Sequence, residues 1–193
     1  MRVGTEISGT TSLLMNRFHE NNEADVTAGF RPAFQGDPGT PREQAYAKAY
    51  MDHSGTLYIP GPNIFAAIIE AGKFHKVGKR QLTTRDTSLI PAGCMIEEMV
   101  CSLNTDQFEI DCRSVVNPAT GGRRMCYRPR IDNWKLSFTL DIDKTVFDPK
   151  LIRAVLDDAG KKIGLGDYRP ARKGPFGRFV VTRWEEIAEV AAA

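Results

Sequence analysis

The stretch IGLGDYRPARKGPFGRF, residues 163–179, lies between an amphipathic helical pattern and the last strand-like segment of the chain. We call it the glycine loop. Its glycines permit tight turns, accessible backbone amides and close approach by another chain. Four cations share the loop with them: Arg169, Arg172, Lys173 and Arg178. Amides and cations both suit phosphate groups, so the stretch predicts a polyanionic partner, with a nucleic acid as the expected one.

Gly164-Leu165-Gly166 is not read as a dinucleotide-binding fingerprint. Such a fingerprint follows a strand and opens a helix, whereas this one closes a helix and leads into a strand. Gly164 and Gly166 can simply end the helix and turn the chain. Tyr168 and Phe176 are able to stack on bases, but packing against the sheet is slightly favoured for each. The positive charge of the loop is therefore stronger evidence for a nucleic-acid partner than its glycines are.

The elements beside the glycine loop have clear patterns. Asp148-Pro149 predicts a helix start by its cap and first-turn proline, and an apolar stripe continues to Ile163. Phe179–Trp184 is predicted as the last strand. Trp134–Ile142 alternates strictly between apolar and polar residues, which is typical of a half-buried strand.

The first half of the chain adds a strand at Val3–Ile7 and a helix that we expect to be capped by Asn63 and to stop at Gly72. Met95–Leu103 has the composition of one further strand. In order, these elements are strand, helix, strand, strand, helix, strand. The sequence therefore predicts an α+β protein with the ferredoxin-like, or RRM-like, βαββαβ fold.

Two additions to that pattern are predicted. The first is an insertion after the first strand, at about residues 19–56, which includes a short helix with a capping box at Thr40–Glu43. The second is a long hairpin, in which Phe108–Val116 and the arginine-rich Arg123–Ile131 flank a turn at Asn117–Gly122. Both belong to one predicted domain that spans residues 1–193.

The composition argues against a membrane protein, a disulfide-rich protein and a zinc protein. The start of the chain lacks the apolar run of a signal peptide, and no segment has about 18 consecutive apolar residues, so we expect a soluble cytoplasmic protein without a membrane partner. The cysteines form no Cys-x-x-Cys pair and are predicted to be buried free thiols: Cys94, Cys101, Cys112 and Cys126. No metal and no cofactor is expected.

The net charge of +2 conceals three basic tracts. Lys73–Arg85 and Gly121–Arg130 contain no carboxylate, and Lys161–Arg183 carries seven bases against Asp167 alone. One such tract is most simply a solvated face. Three such tracts together predict a shared anionic partner. The predicted nucleic-acid contacts are Lys76, Lys79, Arg80, Arg123, Arg124, Arg128, Arg130, Arg169, Arg172, Lys173 and Arg178.

Three segments resemble the RAMP superfamily, the RRM-like proteins that include CRISPR effector backbone subunits and guide-processing ribonucleases. They are Ile7–Leu14, the Ile-Pro-Gly segment Tyr58–Ile68, and the glycine loop. Pro62-Asn63 departs from the small serine-like residues often found there, the first helix lacks a commonly following arginine, and the chain is short for a backbone subunit. The resemblance implies a ferredoxin-like fold, RNA binding and side-by-side assembly, with the insertion reaching a neighbour. A phage or mobile-element relative is an alternative membership.

The first functional hypothesis is a nonenzymatic, sequence-independent binder of single-stranded RNA, or of DNA, acting as a subunit of a homo-oligomer or other ribonucleoprotein. A second is a metal-independent guide-processing endoribonuclease that uses His19 or His75. No catalytic residue is assigned, because the histidines have no recognisable partner spacing. A third is a phage-encoded protein-interaction module that meets an acidic partner.

Overall fold

The computed structural model describes residues 1–17, 39–116 and 121–188. In chain order the strands are β1 Arg2–Gly9, β2 Leu13–Leu14, β3 Tyr58–Pro60, β4 Lys76–Val77, β5 Arg80–Gln81, β6 Cys94–Ile96, β7 Val100–Ser102, β8 Glu109–Val116, β9 Arg123–Ile131, β10 Lys135–Ile142 and β11 Phe179–Ile187. The helices are α1 Pro41–Ala47, α2 Gly61–Ala71 and α3 Pro149–Asp158, and α3 continues into a π-helical segment, Ala159–Ile163.

The central sheet has four strands in the order β11-β1-β10-β6. Every neighbouring pair in it is antiparallel. Helix α2 connects β1 with β6, and helix α3 connects β10 with β11, so the two βαβ halves interleave their strands. The fold is ferredoxin-like, which confirms the predicted α+β class.

The helices cover one face of this sheet because their apolar residues recur at helical spacing. Ile64 and Ile68 of α2 and Ile152 and Val155 of α3 are fully buried against the alternating apolar side chains of β10. Burial of each such side chain stabilises the fold by roughly 1.5–3 kcal/mol. Helix α3 begins as predicted, since the Asp148 carboxylate accepts a hydrogen bond from the Lys150 amide at 2.8 Å.

The predicted hairpin is present as β8 and β9. Its register runs from Glu109 opposite Arg130 to Val116 opposite Arg123, and β2 pairs with the other edge of β9. Of its predicted turn, residues 117–120 lie outside the described residues. The hairpin and β2 together form a three-stranded sheet that is separate from the central one.

Two predicted boundaries were wrong. Helix α2 begins at Gly61 rather than after Asn63, with Pro60 at the cap position. Gly61 is required there because a Cβ atom would lie 1.9 Å from the carbonyl oxygen of Glu98. Met95–Leu103 is two strands in two sheets, since the Glu98 carboxylate accepts the Thr139 amide at 2.7 Å and so takes the place of a backbone acceptor beside β10.

The described part of the predicted insertion contains α1. Its capping box is confirmed: Thr40 accepts a hydrogen bond from the Glu43 amide, and the Glu43 carboxylate accepts one from the Thr40 amide at 2.7 Å. Lys48, just after α1, donates to the Tyr127 carbonyl at 3.1 Å and so links this helix to β9. Residues 19–38 of the insertion, with His19, lie outside the described residues.

The four cysteines are free, but they differ in exposure. Cys94, Cys101 and Cys126 are buried as predicted, whereas Cys112 is exposed on β8, which corrects that part of the prediction. Burial raises the pKa of the Cys94 thiol to about 12 and that of Cys101 to about 11. Among the described helices, none is long and apolar enough to cross a bilayer.

Thiol reactivity should follow this division. At pH 8 the folded protein is expected to react rapidly with a disulfide reagent at Cys112 alone, because Cys94 and Cys101 are inaccessible and stay protonated. Denaturation should release the other three thiols. The check is absorbance titration with Ellman's reagent, using Cys112→Ser as the control, and rapid reaction of two or more thiols in the folded protein would contradict it.

Candidate nucleic-acid interface

The glycine loop and the helix end before it are in contact with both other basic tracts. The hairpin contacts the loop through Arg128, which donates to Asp167, and through Arg113, whose guanidinium lies 4.8 Å from the centre of the Phe176 ring. Lys162, in the π-helical segment just before the loop, lies 4.4 Å from the ring centre of Phe74, where the Lys73–Arg85 tract begins. The three tracts are thus linked through the Lys161–Arg183 tract.

The glycine loop is held by its own backbone and by the segment that follows β1. The Gly164 amide donates to Ala159, Leu165 to Gly177, Gly174 to Arg169, and Gly177 to Ser12, at 2.8–3.0 Å. These amides are therefore engaged within the protein. The expectation that glycine amides of the loop receive phosphates is wrong for these positions, because their hydrogen bonds are already made.

Close packing explains why glycine is needed in the loop. A Cβ atom on Gly166 would lie 2.3 Å from the Leu14 carbonyl oxygen, and one on Gly177 would lie 1.8 Å from that of Leu165. Both residues also have left-handed backbones, with φ of +72° and +70°. The glycines shape the loop, and any ligand must then be met by side chains.

Arg128 is the residue that fastens the hairpin to the loop. Its side chain donates to Asp167 at 2.7 Å and to Asp111 at 3.1 Å, and the residue is only 4% exposed. Burial is the largest single influence and lowers the pKa of its guanidinium, but the hydrogen bond to Asp167 and the nearby negative charges of Asp167 and Asp111 together raise the pKa overall. Arg113 also holds Asp111, at 2.8 Å. We call Arg128, Asp111 and Asp167 the ion triad.

The ion triad corrects the prediction for Arg128. A guanidinium that is buried and shared by two carboxylates cannot reach a phosphate in solution. Sequence reasoning also missed both carboxylate partners of Arg128, although each left a signal. Asp167 is the lone acid of its basic tract. Asp111 lies two residues before Arg113, so the two side chains are on the same face of β8.

Three other predicted contacts are partly engaged by the protein. Arg130 pairs with Asp132 at 3.3 Å, and Arg169 donates to the Gly166 carbonyl at 3.0 Å. Arg124 is half-buried on β9. These side chains are therefore weaker candidates for a phosphate contact than fully exposed ones.

The remaining seven predicted contacts are exposed. Their side chains have no hydrogen-bond or ion-pair partner among the described residues. They are Lys76, Lys79 and Arg80 around the β4–β5 hairpin, Arg123 at the end of β9, and Arg172, Lys173 and Arg178 in the glycine loop. Their positive charge is thus left without nearby carboxylates in the described structure.

A cleft of about 270 Å³ runs between α2 and the glycine loop. Asn63, Ala66 and Glu70 line it from the helix, and Gly166, Asp167 and Arg169 line it from the loop. The Ile-Pro-Gly segment and the glycine loop, which carried the sequence resemblance, are therefore brought together by the fold. The lining mixes apolar side chains, such as Met15 and Ile59, with the carboxylates of Glu70 and Asp167.

The open face of the central sheet is a poorer candidate. β10 presents Lys135, Ser137, Thr139 and Asp141 there, opposite its buried residues. None of the four strands places an aromatic side chain on this face. RRM domains use such aromatics to stack RNA bases, so that mode of binding is not available on this sheet.

Comparison with known proteins supports the fold. No protein-family model matches the sequence, and no curated protein sequence matches it. Among solved structures, the chain is similar to one from a cryo-EM structure of the type III-B Cmr-beta bound to cognate target RNA, with a TM-score of 0.55 and 15% identity. The match covers 95% of this chain but 59% of that chain. The likeness shows a shared fold, in line with the predicted ferredoxin-like class.

Of the two histidines among the described residues, His75 is the one with a carboxylate partner. Its Nε2 lies 3.0 Å from the Asp158 carboxylate, which also accepts a hydrogen bond from Lys162 at 2.8 Å. Burial alone would raise the pKa of Asp158, but these two partners lower it overall. His53 is exposed. Within residues 1–17, 39–116 and 121–188, no group of three His, Cys, Asp or Glu side chains could hold a metal ion.

Removal of Arg128 should separate its structural role from a ligand role. Arg128→Met is expected to lower the free energy of unfolding by about 1–3 kcal/mol, because it leaves buried Asp111 with Arg113 as its partner and takes the guanidinium away from Asp167. The same change at exposed Arg172 should cost less than about 0.5 kcal/mol. Urea unfolding followed by circular dichroism checks both, and equal effects of the two substitutions would contradict the assignment.

Proposed function

We propose that this protein binds single-stranded RNA without sequence preference and acts as a nonenzymatic subunit of a ribonucleoprotein. The observation that carries the proposal is that the two other basic tracts each contact the Lys161–Arg183 tract, with seven exposed cations that have no partner in the described structure. Such cations attract the regularly spaced charges of a phosphate backbone.

The chemistry of these cations favours a sequence-independent mode. Lysine and arginine side chains at the surface contact phosphates, which are the same for every base. Reading of bases would need fixed polar groups aimed at base edges, and the exposed cations lie on loops and a short hairpin. We therefore assign them to the backbone of the strand and assign no base specificity.

Membership in a larger assembly is proposed on two grounds. The structurally similar chain comes from a structure bound to target RNA. The outer face of the hairpin also exposes apolar side chains, namely Ile110, Val116 and Met125. Apolar groups grouped on one exposed face are typical of a protein contact, so a neighbouring copy or another subunit would cover them.

Binding should depend on the exposed cations. The variant with Arg123, Arg172, Lys173 and Arg178 all replaced by Gln is expected to bind a labelled single-stranded RNA at least tenfold more weakly. The slope of log affinity against log salt should fall by about 0.7 for each phosphate that the variant no longer neutralises. Fluorescence anisotropy across a potassium chloride series measures both quantities.

A matched control is available at the opposite end of the sheet. Lys144→Gln together with Lys150→Gln removes charge beside α3 and should leave the affinity nearly unchanged. Affinity that is indifferent to salt, or an equal decrease in both variants, would contradict the proposal. A DNA strand of the same length distinguishes RNA from DNA as the preferred polymer.

RNA cleavage is a second candidate, favoured by one observation: His75 has a carboxylate partner, which can orient an imidazole for proton transfer. The protein would then cleave structured RNA in the presence of EDTA, and His75→Ala would lower the rate at least a hundredfold. Gel analysis of end-labelled RNA measures this, with His53→Ala as control. Intact RNA, or unchanged cleavage by His75→Ala, rejects a role for His75.

A further inference from the structure

Tyr168 has an unusual backbone for an aromatic residue. Its φ is +48°, in the left-handed region that bulky side chains rarely adopt because the Cβ atom crowds the backbone. Strained backbones of this kind persist only where the surrounding structure enforces them, and they concentrate at functional sites. The position of this ring within the glycine loop therefore needs a cause.

The conformation is enforced by the ion triad. The Tyr168 amide donates to one carboxylate oxygen of Asp167 at 2.8 Å, and the other oxygen accepts from Arg128 at 2.7 Å and from Asn16 at 3.2 Å. On the far side of the loop, the Tyr168 carbonyl accepts the Phe176 amide at 3.3 Å. Two sides of the residue are thus fixed by neighbouring segments.

Gly174 lies directly against Tyr168. A Cβ atom at that position would lie 2.6 Å from Cδ2 of Tyr168 and 1.7 Å from its carbonyl oxygen. Glycine therefore lets the chain pass beside the tyrosine. The ring is thus in close contact with the loop backbone at Gly174.

The ring is held without being covered. Tyr168 is 40% exposed, and its hydroxyl has no partner among the described residues. Phe176 differs, because it is half-buried and Arg113 lies over its ring. The two ring centres are 6.1 Å apart and the ring planes are tilted by 39°, so the rings are neighbours that are not stacked face to face. The sequence slightly favoured packing over base stacking for both rings. The half-buried ring of Phe176 agrees with that expectation, and the exposed ring of Tyr168 does not.

Charge around the ring points to the ligand. Arg172 and Lys173 are exposed in the same loop, and Lys173 also has a left-handed backbone, with φ of +60°. An exposed aromatic ring beside unpaired cations matches a nucleotide, whose base stacks on rings and whose phosphate attracts cations. A buried apolar anchor for a protein partner would not need this charge.

We propose that Tyr168 is a stacking platform for one unpaired base of the RNA strand bound at the glycine loop. The inference rests on the proposed function, since it assigns the base contact to Tyr168 and leaves the phosphates to the cations. Stacking accepts every base, because each has a π-face, and it therefore adds affinity without adding sequence preference.

The test uses three tyrosine variants and two strands. Tyr168→Gly removes the ring and suits the left-handed backbone, Tyr168→Ala removes the ring alone, and Tyr168→Phe keeps the ring. Each is titrated by fluorescence anisotropy with a short labelled RNA and with an abasic strand of the same length. Arg172→Gln serves as the phosphate-contact control, and thermal unfolding monitors the fold.

Tyr168→Gly and Tyr168→Ala should lower the affinity for the RNA about five- to a hundredfold and leave the affinity for the abasic strand unchanged. Tyr168→Phe should bind like the unaltered protein, and Tyr168→Gly should unfold at an equal or higher temperature. Arg172→Gln should weaken binding to both strands equally.

The outcomes separate the two proposals. If the unaltered protein binds RNA and the abasic strand equally well, or if Tyr168→Gly retains full affinity for the RNA, the stacking role is wrong and the proposed function stands. If the unaltered protein binds neither strand, the proposed function fails and the stacking role fails with it.

Discussion

The buried ion triad is the interaction on which the rest of the candidate site depends. Arg128 comes from the hairpin, Asp167 from the glycine loop, and Asp111 from the neighbouring strand, so one guanidinium joins elements that the ferredoxin-like fold alone would leave separate. Pairing of a buried cation is obligatory, because an unpaired charge in the interior costs several kcal/mol. The hairpin and the loop therefore keep a fixed relation to each other.

Because the loop is fixed in this way, most of its backbone is engaged and its exposed groups are side chains. Most of its amides make hydrogen bonds within the protein, its glycines lie against neighbouring backbone, and its one acid accepts the Tyr168 amide. What remains free is a set of long cationic side chains and one exposed ring. The glycines, which suggested accessible amides, instead allow the close backbone packing that positions these side chains.

Local patterns were enough to predict the fold. The alternation of Trp134–Ile142, the Asp148 cap and the two strands of the hairpin depend on neighbours in sequence, and they were found correctly. The position of Arg128 depends on carboxylates of two other segments, which no local pattern reveals, so it was assigned to a ligand by its charge alone. The start of α2 and the split of Met95–Leu103 depend on a single contact region, where Gly61 and Glu98 pack against each other.

The engagement of the loop amides has a consequence for the strength of binding. Preformed amide sites hold an anion at little entropic cost, whereas each long lysine or arginine side chain loses rotational freedom when it contacts a phosphate, at about 0.5–1.5 kcal/mol. One copy of the chain should therefore hold a strand loosely. Tight occupancy would come from several copies that share one strand, through the increase in effective concentration that linkage provides.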